Sequence, residues 1–558
     1  MRSGSELVSG LLAEALAEAA SSIEGCARVA PDRVEIEVPR EKKHGDLSCN
    51  LALRLASELG RKPREIAEEL ASRADLDPGM IERVEVAGPG FINVFIAHSW
   101  LRANVREILR RGASYGTSDE GGGSRVQVEF VSANPTGPLN IVSARAAAVG
   151  DSLVRLLRAR GFDADSEFYV NDSGRQADLL GASLESRFRR TLGEDAEIPE
   201  GGYPGEYLVD MAEALPRDLW EKVLAKDPSE RTALFSAHAV EKIVEGQEED
   251  LRAFGVDFNT WFRESSLHRT GAVEKTFVKL KDRGAVAERE GAQWLKSSEY
   301  GDDEDRVIIR SNGVPTYLLG DIAYHADKHG RGYDKVIDLW GPDHHGHIPR
   351  MDAAMRALGY PEGWLEVLIV QWVNLVRGGK SVGMSKRKGE YVTMRELVED
   401  VGPDCARFLF LLRRCNTPLD FDLDLAKTQS DENPVYYVQY SHARVASILR
   451  FAAEQGIDFD AVKGEETDAL TEPEETDLMK TLALYPRLVA GAAASREPHR
   501  LTEFCKELAA DFHRFYHKHR VVSERDGASM GRLALVKAVM GVLRNALSLL
   551  GVSAPERM

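Results

Sequence analysis

Residues 126–131 (Val-Gln-Val-Glu-Phe-Val) read as a strand buried on both faces, the kind found where helical crossovers cover both sides of a parallel sheet. A Pro/Gly turn follows, and then a stretch in which Ile141, Val149, Leu153, Leu156 and Leu157 share one helical face before Gly161 ends the helix. Further strand-like runs at 165–170, 336–339 and 367–373 alternate with helical stretches up to about residue 400. That alternation predicts a doubly wound α/β sheet, interrupted by a helical insertion over about 175–290.

The rest of the chain divides around this region. Its 558 residues suffice for three or four domains. Residues 1–110 combine an amphipathic helix, the alternating Val34, Ile36 and Val38, and a Gly-Pro-Gly turn entering a strand at 91–95, which predicts a small α/β module. The glycines at 121–123 read as a joint, so the next domain runs over 115–403. Beyond residue 404 helical periodicity dominates, and Leu533, Val536, Met540, Leu543, Leu547 and Leu550 form one stripe closed by Gly551. Residues 404–558 are expected to be a helix bundle.

Composition excludes several classes. Lys+Arg 72 against Asp+Glu 90 gives a net charge of −18, so the chain is not a uniformly basic nucleic-acid coat, although a local basic surface is compatible with it. Five cysteines (Cys26, Cys49, Cys405, Cys415, Cys505) show no CxxC spacing, which supports neither a disulfide framework nor a zinc ribbon. Glu6, Glu14 and Glu18 interrupt the first helix, unlike a signal peptide, and no apolar run has the ~18 residues of a membrane span. A cytoplasmic protein without membrane contact is expected.

Two segments carry chemistry. In the first, residues 128–145, a strand ends in a Pro/Gly turn and a helix begins. In an open α/β sheet that junction presents unpaired N–H groups and a positive dipole end to an anion, although a tight connection without ligand has the same pattern. Glu129 sits within the apolar strand, where a carboxylate is either paired structurally or meets a cationic ligand. In the second, residues 378–389, glycines bracket Lys386, Arg387 and Lys388, suiting a polyphosphate or simply a solvated basic loop; the P-loop spacing is absent. His344 and His345 are adjacent and point apart, so no structural metal is expected.

These segments resemble the two signature motifs of class I aminoacyl-tRNA synthetases, and the surrounding sequence resembles arginyl-tRNA synthetase. The likeness is carried by 133–139 (Ala-Asn-Pro-Thr-Gly-Pro-Leu), 169–172 (Tyr-Val-Asn-Asp), 301–303 (Gly-Asp-Asp), 315–318 (Pro-Thr-Tyr-Leu), 341–346 (Gly-Pro-Asp-His-His-Gly) and 433–444 (Asn-Pro-Val-Tyr-Tyr-Val-Gln-Tyr-Ser-His-Ala-Arg). It extends from about Pro39 to the C-terminus. The resemblance implies a multidomain α/β protein: an N-terminal α/β module contacting tRNA, a Rossmann-type catalytic domain with helical insertions, and an α-helical anticodon-binding domain.

The implied activity is arginine–tRNA ligation: the carboxylate of L-arginine attacks the α-phosphate of ATP, supplied with Mg²⁺, and tRNA(Arg) then takes the arginyl group. By motif position the resemblance assigns catalysis to Asn140, Ser143 and Lys386. It assigns ATP to Pro135, Thr136, Gly137, Asn140, Ser143, Gly341, Asp343, His344, Met384 and Lys386. Arginine falls to Glu129, Asn134, Tyr317 and Asp321, two carboxylates for one planar five-donor cation. Tyr437, Tyr440 and Arg444 are implied to bind tRNA, and a monomer is expected. The aromatic and basic run 512–520 suits stacking on unpaired bases, or else packs Phe512, Phe515 and Tyr516 into a core.

The chain departs from the family pattern in the first motif, where Asn140, Ile141, Val142 and Ser143 replace His, a small residue, Gly and His. A neutral donor in place of a charged one costs about 1–2 kcal/mol, roughly a tenfold rate loss per site. Val142 brings a β-branched side chain where glycine lets adenine approach. In the second motif Gly383 replaces the first lysine, with Lys380 three residues upstream. These changes raise the alternative of a catalytically silent tRNA-binding paralogue. A ligase for another amino acid is the other alternative, but a neutral substrate leaves Glu129 and Asp321 unpaired.

Overall fold

The both-face-buried strand is the centre of a five-stranded parallel sheet. The computed structural model describes residues 4–39, 41–381, 393–458, 462, 464–522 and 527–558. Strand β1 (Arg125–Glu129) leads into helix α1 (Ile141–Ala159), which returns to β2 (Asp163–Val170). The insertion follows, ending in the long helix α2 (Pro228–Ala253) and strand β3 (Thr260–Arg263). Helix α3 (Tyr317–Gly330), β4 (Lys335–Trp340) and β5 (Leu365–Ile369) complete the layer.

The strand order is β5-β4-β1-β2-β3, all parallel. The chain therefore winds outward in one direction from β1 and then in the other from β4. The crevice at the carboxyl ends of β1 and β4 is the topological switch point, where such sheets bind ligands.

Two expectations change in detail. Strand β3 lies inside the interval read as helical; it is a four-residue edge strand whose residues are all only half-buried, too short to break a helical pattern. The apolar run 367–373 is two strands, because the chain leaves the main sheet after Ile369 and resumes as β6 (Val373–Arg377). Strand β6 pairs antiparallel with β7 (Lys380–Ser381) and parallel with β8 (Leu419–Asp422); helix α4 (Met394–Val401) lies between them in sequence. Residues 404–429 thus pack with the sheet, in a compact unit spanning Glu120–Gln429 and Leu550–Val552.

Helix α1 is buried along nearly its whole length, and its fit on the end of β1 is close. A Cβ on Gly150 would lie 2.1 Å from the Phe130 ring, so no other residue fits there.

The second unit joins the residues up to Asp119 to Ser430–Leu549 and Ser553–Met558. Its N-terminal part is a four-stranded antiparallel sheet flanked by helices. Its C-terminal part contains α5 (Pro434–Glu454), α6 (His499–Lys518) and α7 (Gly527–Leu549). Leu533, Val536, Leu543 and Leu547 of the predicted stripe are fully buried, but so are Leu535, Val539 and Val542, which makes α7 a central helix. Phe512 and Phe515 belong to the core, and the run 512–520 keeps only its remaining side chains for the surface. Among the described residues no helix is long and apolar enough to cross a membrane.

Candidate active site

The sheet register brings three acids into one row. Glu129 pairs with Asp338 of β4 on one side and Glu167 of β2 on the other. Like charges directly opposite one another repel, so a row like this persists only when cations meet it. Helix α3 and its C-cap residue Arg331 supply them. Lys328, fully buried, donates to Glu129 Oε2 at 2.6 Å and Asp338 Oδ1 at 2.9 Å. Arg331 binds both oxygens of Glu167, and Tyr324 donates to Glu167 Oε1 at 2.6 Å. His325 places one ring nitrogen 2.8 Å from Asp338 Oδ2 and the other 2.8 Å from the Asp321 carbonyl oxygen.

This arrangement splits the titrations. Burial opposes ionisation of Asp338, but Lys328 and His325 outweigh it and hold the carboxyl down at about 2. Burial dominates at Glu129 and pushes its carboxyl up against the pull of Lys328. Of the two readings of Glu129, the structural ion pair is present. Its second oxygen accepts from Ser132 Oγ at 2.8 Å, and a carboxylate has lone pairs for more than these two partners.

Above the row the backbone is strained. Val131 and Ser132 have φ of 68° and 41°, and Ser132 N donates to Phe130 O at 3.0 Å to close a three-residue turn. A β-branched residue in that region costs of order 1–3 kcal/mol and persists only where its surroundings determine it, a combination typical of functional sites. The turn aims residues 134–137 at the crevice. Ser132 is fixed from the far side as well, its Oγ accepting from Tyr169 N at 3.1 Å.

Asn140 is the N-cap of α1: Oδ1 accepts from Val142 N at 2.9 Å and Ser143 N at 3.1 Å. This corrects the expectation of unpaired N–H groups at the helix start, since two are taken by the cap. With Oδ1 turned to the helix, Nδ2 faces the other way and is the donor Asn140 offers. Asn140→Ala is expected to lower stability by about 1 kcal/mol, read as a shifted midpoint in urea unfolding; an unshifted midpoint would remove the cap.

Tyr317 and Asp321 lie one turn apart on α3; Tyr317 is 81% exposed, and Asp321 Oδ2 lies 3.0 Å from His347 Nε2. Two further groups join them: Tyr169, from the 169–172 segment but assigned no role by sequence, and Glu264, which the sequence did not single out. Burial first, then Glu264 and Asp321, raise the Tyr169 phenol, and burial above all raises the Glu264 carboxyl, with Asp321 adding to it. With its amide oriented to satisfy both ends, Asn171 donates to Glu264 Oε2 at 2.8 Å. Asn171 falls in the quoted 169–172 segment, the one signal that pointed near Glu264. A carboxyl pushed up by burial with a second carboxylate beside it forms a pocket that rewards a cation.

Across the crevice Gly341, Asp343 and His344 follow β4 in a short 3₁₀ turn, with Asp343 and His344 exposed. Asn134 is exposed, Thr136 and Gly137 are half-buried and Pro135 is buried. Met384 and Lys386 lie outside the described residues, but the segments flanking them rest on the first motif. Met394 N donates to Leu139 O at 2.8 Å, and Thr393 bridges Asn140. On the entry side, fully buried Arg145 donates to the carbonyls of Gln371 and Arg414 at 2.9 Å and Thr417 at 2.8 Å, clamping the starts of β6 and β8. Among the described residues no group of three His, Cys, Asp or Glu side chains gathers as a metal site.

In the other unit, α5 carries the tRNA candidates on one face. Tyr437 packs on His513 at 5.0 Å, and Arg444 lies over the rings of Tyr440 at 5.2 Å and Tyr516 at 5.8 Å. A cleft of about 670 Å³ opens beside them, lined by Arg444, Phe451, Tyr516, Lys518 and Arg520.

A parallel sheet with this switch point, a turn-and-cap motif after its first strand and a basic motif after its last describes the catalytic domain of a class I tRNA synthetase, and residues 104–409 match the family "tRNA synthetases class I (R), catalytic domain". Residues 7–96 match "Arginyl tRNA synthetase N terminal domain" and 438–558 match "DALR anticodon binding domain". The chain belongs to the arginyl-tRNA synthetase family. It is 47% identical over 528 residues to arginine–tRNA ligase 1 of Halalkalibacterium halodurans, covering 94% of each chain. It is 49% identical over 524 residues to arginine–tRNA ligase of Desulforudis audaxviator, covering 94% of this chain and 93% of that one. The arginyl-tRNA synthetase structure of Thermus thermophilus has the same fold, with a TM-score of 0.77 at 24% identity over 98% of this chain and 99% of that one.

Proposed function

We propose that the protein is an arginine–tRNA ligase, activating L-arginine with ATP and transferring it to tRNA(Arg) with release of AMP and pyrophosphate. The observation that carries this is the acidic pocket at the switch point. Asp321 and Glu264 face Tyr169 there, with Glu129 held below. A guanidinium offers five donors and a positive charge to such a set, whereas a neutral side chain brings it no cation.

Within this reading Asp321, Glu264 and Tyr317 take the guanidinium end, and Glu129 and Asn134 the end nearer the reacting carboxylate. ATP enters as its Mg²⁺ complex over residues 135–137. Asn140 Nδ2, the Ser143 hydroxyl and the positive end of α1 face its phosphates, and Gly341, Asp343, His344 and Met384 line the nucleotide. Lys386 neutralises the leaving pyrophosphate. The arginine carboxylate attacks the α-phosphorus, the bond to pyrophosphate breaks, and the adenylate remains in the crevice for the tRNA 3′ end. Residues 1–110 and the helical domain, with Tyr437, Tyr440 and Arg444, contact tRNA, and the protein works as a monomer in the cytoplasm. A silent paralogue has no use for an intact acidic pocket, and the relatives named above carry the ligase name.

The test is ATP–pyrophosphate exchange by purified protein, with and without total tRNA, offering arginine, lysine and neutral amino acids. Exchange with arginine alone is expected. Absence of exchange with every amino acid, in protein that still binds tRNA, would establish the silent paralogue.

A further inference from the structure

The turn over residues 134–137 is held almost entirely from the insertion. Gln247 of α2, 1% exposed, donates through Nε2 to Gly137 O at 3.0 Å and lies 3.5 Å from Asn134 O, spanning both ends of the turn. Between them, Tyr207 Oη donates to Thr136 O at 2.5 Å. One helical turn beyond Gln247, Asp250 is buried on the same helix and accepts from Arg395 Nε at 2.6 Å. Arg395 is the second residue of α4, whose first, Met394, donates to Leu139 O. Helix α2 therefore touches the first motif through Gln247 and the helix after the second motif through Asp250. The segment just upstream is the strained pair Val131 and Ser132, which keeps its conformation only while its surroundings hold it.

We propose that Gln247 and the Asp250–Arg395 pair are positioning residues for adenylate formation, with α2 as the strut that keeps the 134–137 turn and helix α4 in one frame. None of the three needs to touch substrate. Their effect is on the alignment of the ATP-facing groups, and misplacement of reacting groups by about 1 Å costs up to 100-fold in rate. The guanidinium end of the arginine pocket is built on α3 and the segment after β3, so the affinity it contributes is not routed through this frame; Asn134 alone, at the end nearer the reacting carboxylate, belongs to both.

The inference rests on the ligase reading, and the test separates the two. Arginine-dependent exchange is measured for wild type, Gln247→Leu, Arg395→Gln, the double variant and Arg395→Lys, each at varied ATP and varied arginine. Gln247→Leu removes the donor at nearly constant volume, and Arg395→Gln acts at a side chain more than half exposed but takes the charge from buried Asp250, so melting temperatures are recorded beside the kinetics. The expected result is a roughly tenfold fall in kcat with a rise in ATP KM, arginine KM within about twofold of wild type, a double variant little worse than either single one, and partial recovery in Arg395→Lys.

Wild-type kcat and ATP KM in both single variants would overturn the strut. So would losses in ATP and arginine parameters together in step with a lowered melting temperature, the pattern of a merely structural role. Silence of the wild-type protein would overturn the ligase reading, and the strut with it.

Discussion

Asp321→Ala should raise the arginine KM by about 100-fold or more while the ATP KM stays near its wild-type value. Two charge-assisted hydrogen bonds from a guanidinium to one carboxylate contribute about 1.5–3 kcal/mol each, and every 1.4 kcal/mol is tenfold in affinity. Asp321 lies on the first turns of α3, clear of the 134–137 turn and of α1, so its removal leaves the phosphate-facing groups in place. Asp321→Asn keeps the shape and one acceptor and should fall between wild type and alanine. Both are read from pyrophosphate exchange at varied arginine. An unchanged arginine KM in Asp321→Ala would take this residue out of the pocket and leave Glu264 as its principal acid.

Lys328→Met is expected to cost stability on the scale of a broken buried ion pair, about 3–5 kcal/mol, because it leaves Glu129 and Asp338 facing each other across adjacent strands with their shared cation gone. The pH dependence follows from the sign of the shifts. Asp338 is held at about 2, below its ordinary value of 3.8, so its contribution is complete above the ordinary value and is lost as pH falls toward 2. In Lys328→Met the larger part of that depression is lost, His325 alone remaining against burial, and both carboxyls protonate at higher pH to escape the buried repulsion. The penalty relative to wild type should therefore be largest near pH 7 and shrink as the solution is acidified. Melting temperatures of the two proteins over that range measure it. The triple variant Lys328→Met, Glu129→Gln, Asp338→Asn should recover much of the loss, since no carboxylate is left without its cation and Glu167 keeps Arg331. A melting temperature equal to wild type in Lys328→Met alone would mean that the acid row does not need its cation.

Much of the site's framework is legible in the residues because it is local. The β1, turn and α1 unit follows from a both-face-apolar run, a Pro/Gly turn and a helical face closed by Gly161, all within thirty-odd residues of chain. The alternation of strands and helices fixes a parallel layer, and the central helix α7 shows its face and its closing glycine. Where local patterns are weak, reading stops short. Strand β3 is four residues long at a sheet edge, and the run 367–373 conceals the point where the chain crosses from the large sheet to the small one. Phe512 and Phe515 alternate with basic residues as a stacking surface would, yet helical spacing puts both in the core.

The sequence by itself determined the layer architecture and the position of the first motif at a strand end, and it singled out Glu129 and Asp321 as candidate acids for a cationic substrate, the first of which is found paired with Lys328. The tertiary structure alone decided which charges meet. A lysine on a helix reads as solvated until α3 is laid over the sheet, and only then does Lys328 fall between Glu129, 199 residues away, and Asp338, 10 residues away. Asn140 reads as a substitute donor until the helix start is built and its oxygen is found to cap it. Glu264 and Gln247 carry no signal in their own surroundings, because what gives each its place is a neighbour from another segment. Periodicity records the face a residue presents, whereas pairing depends on strand register and helix placement, which are set by the packing of the whole domain.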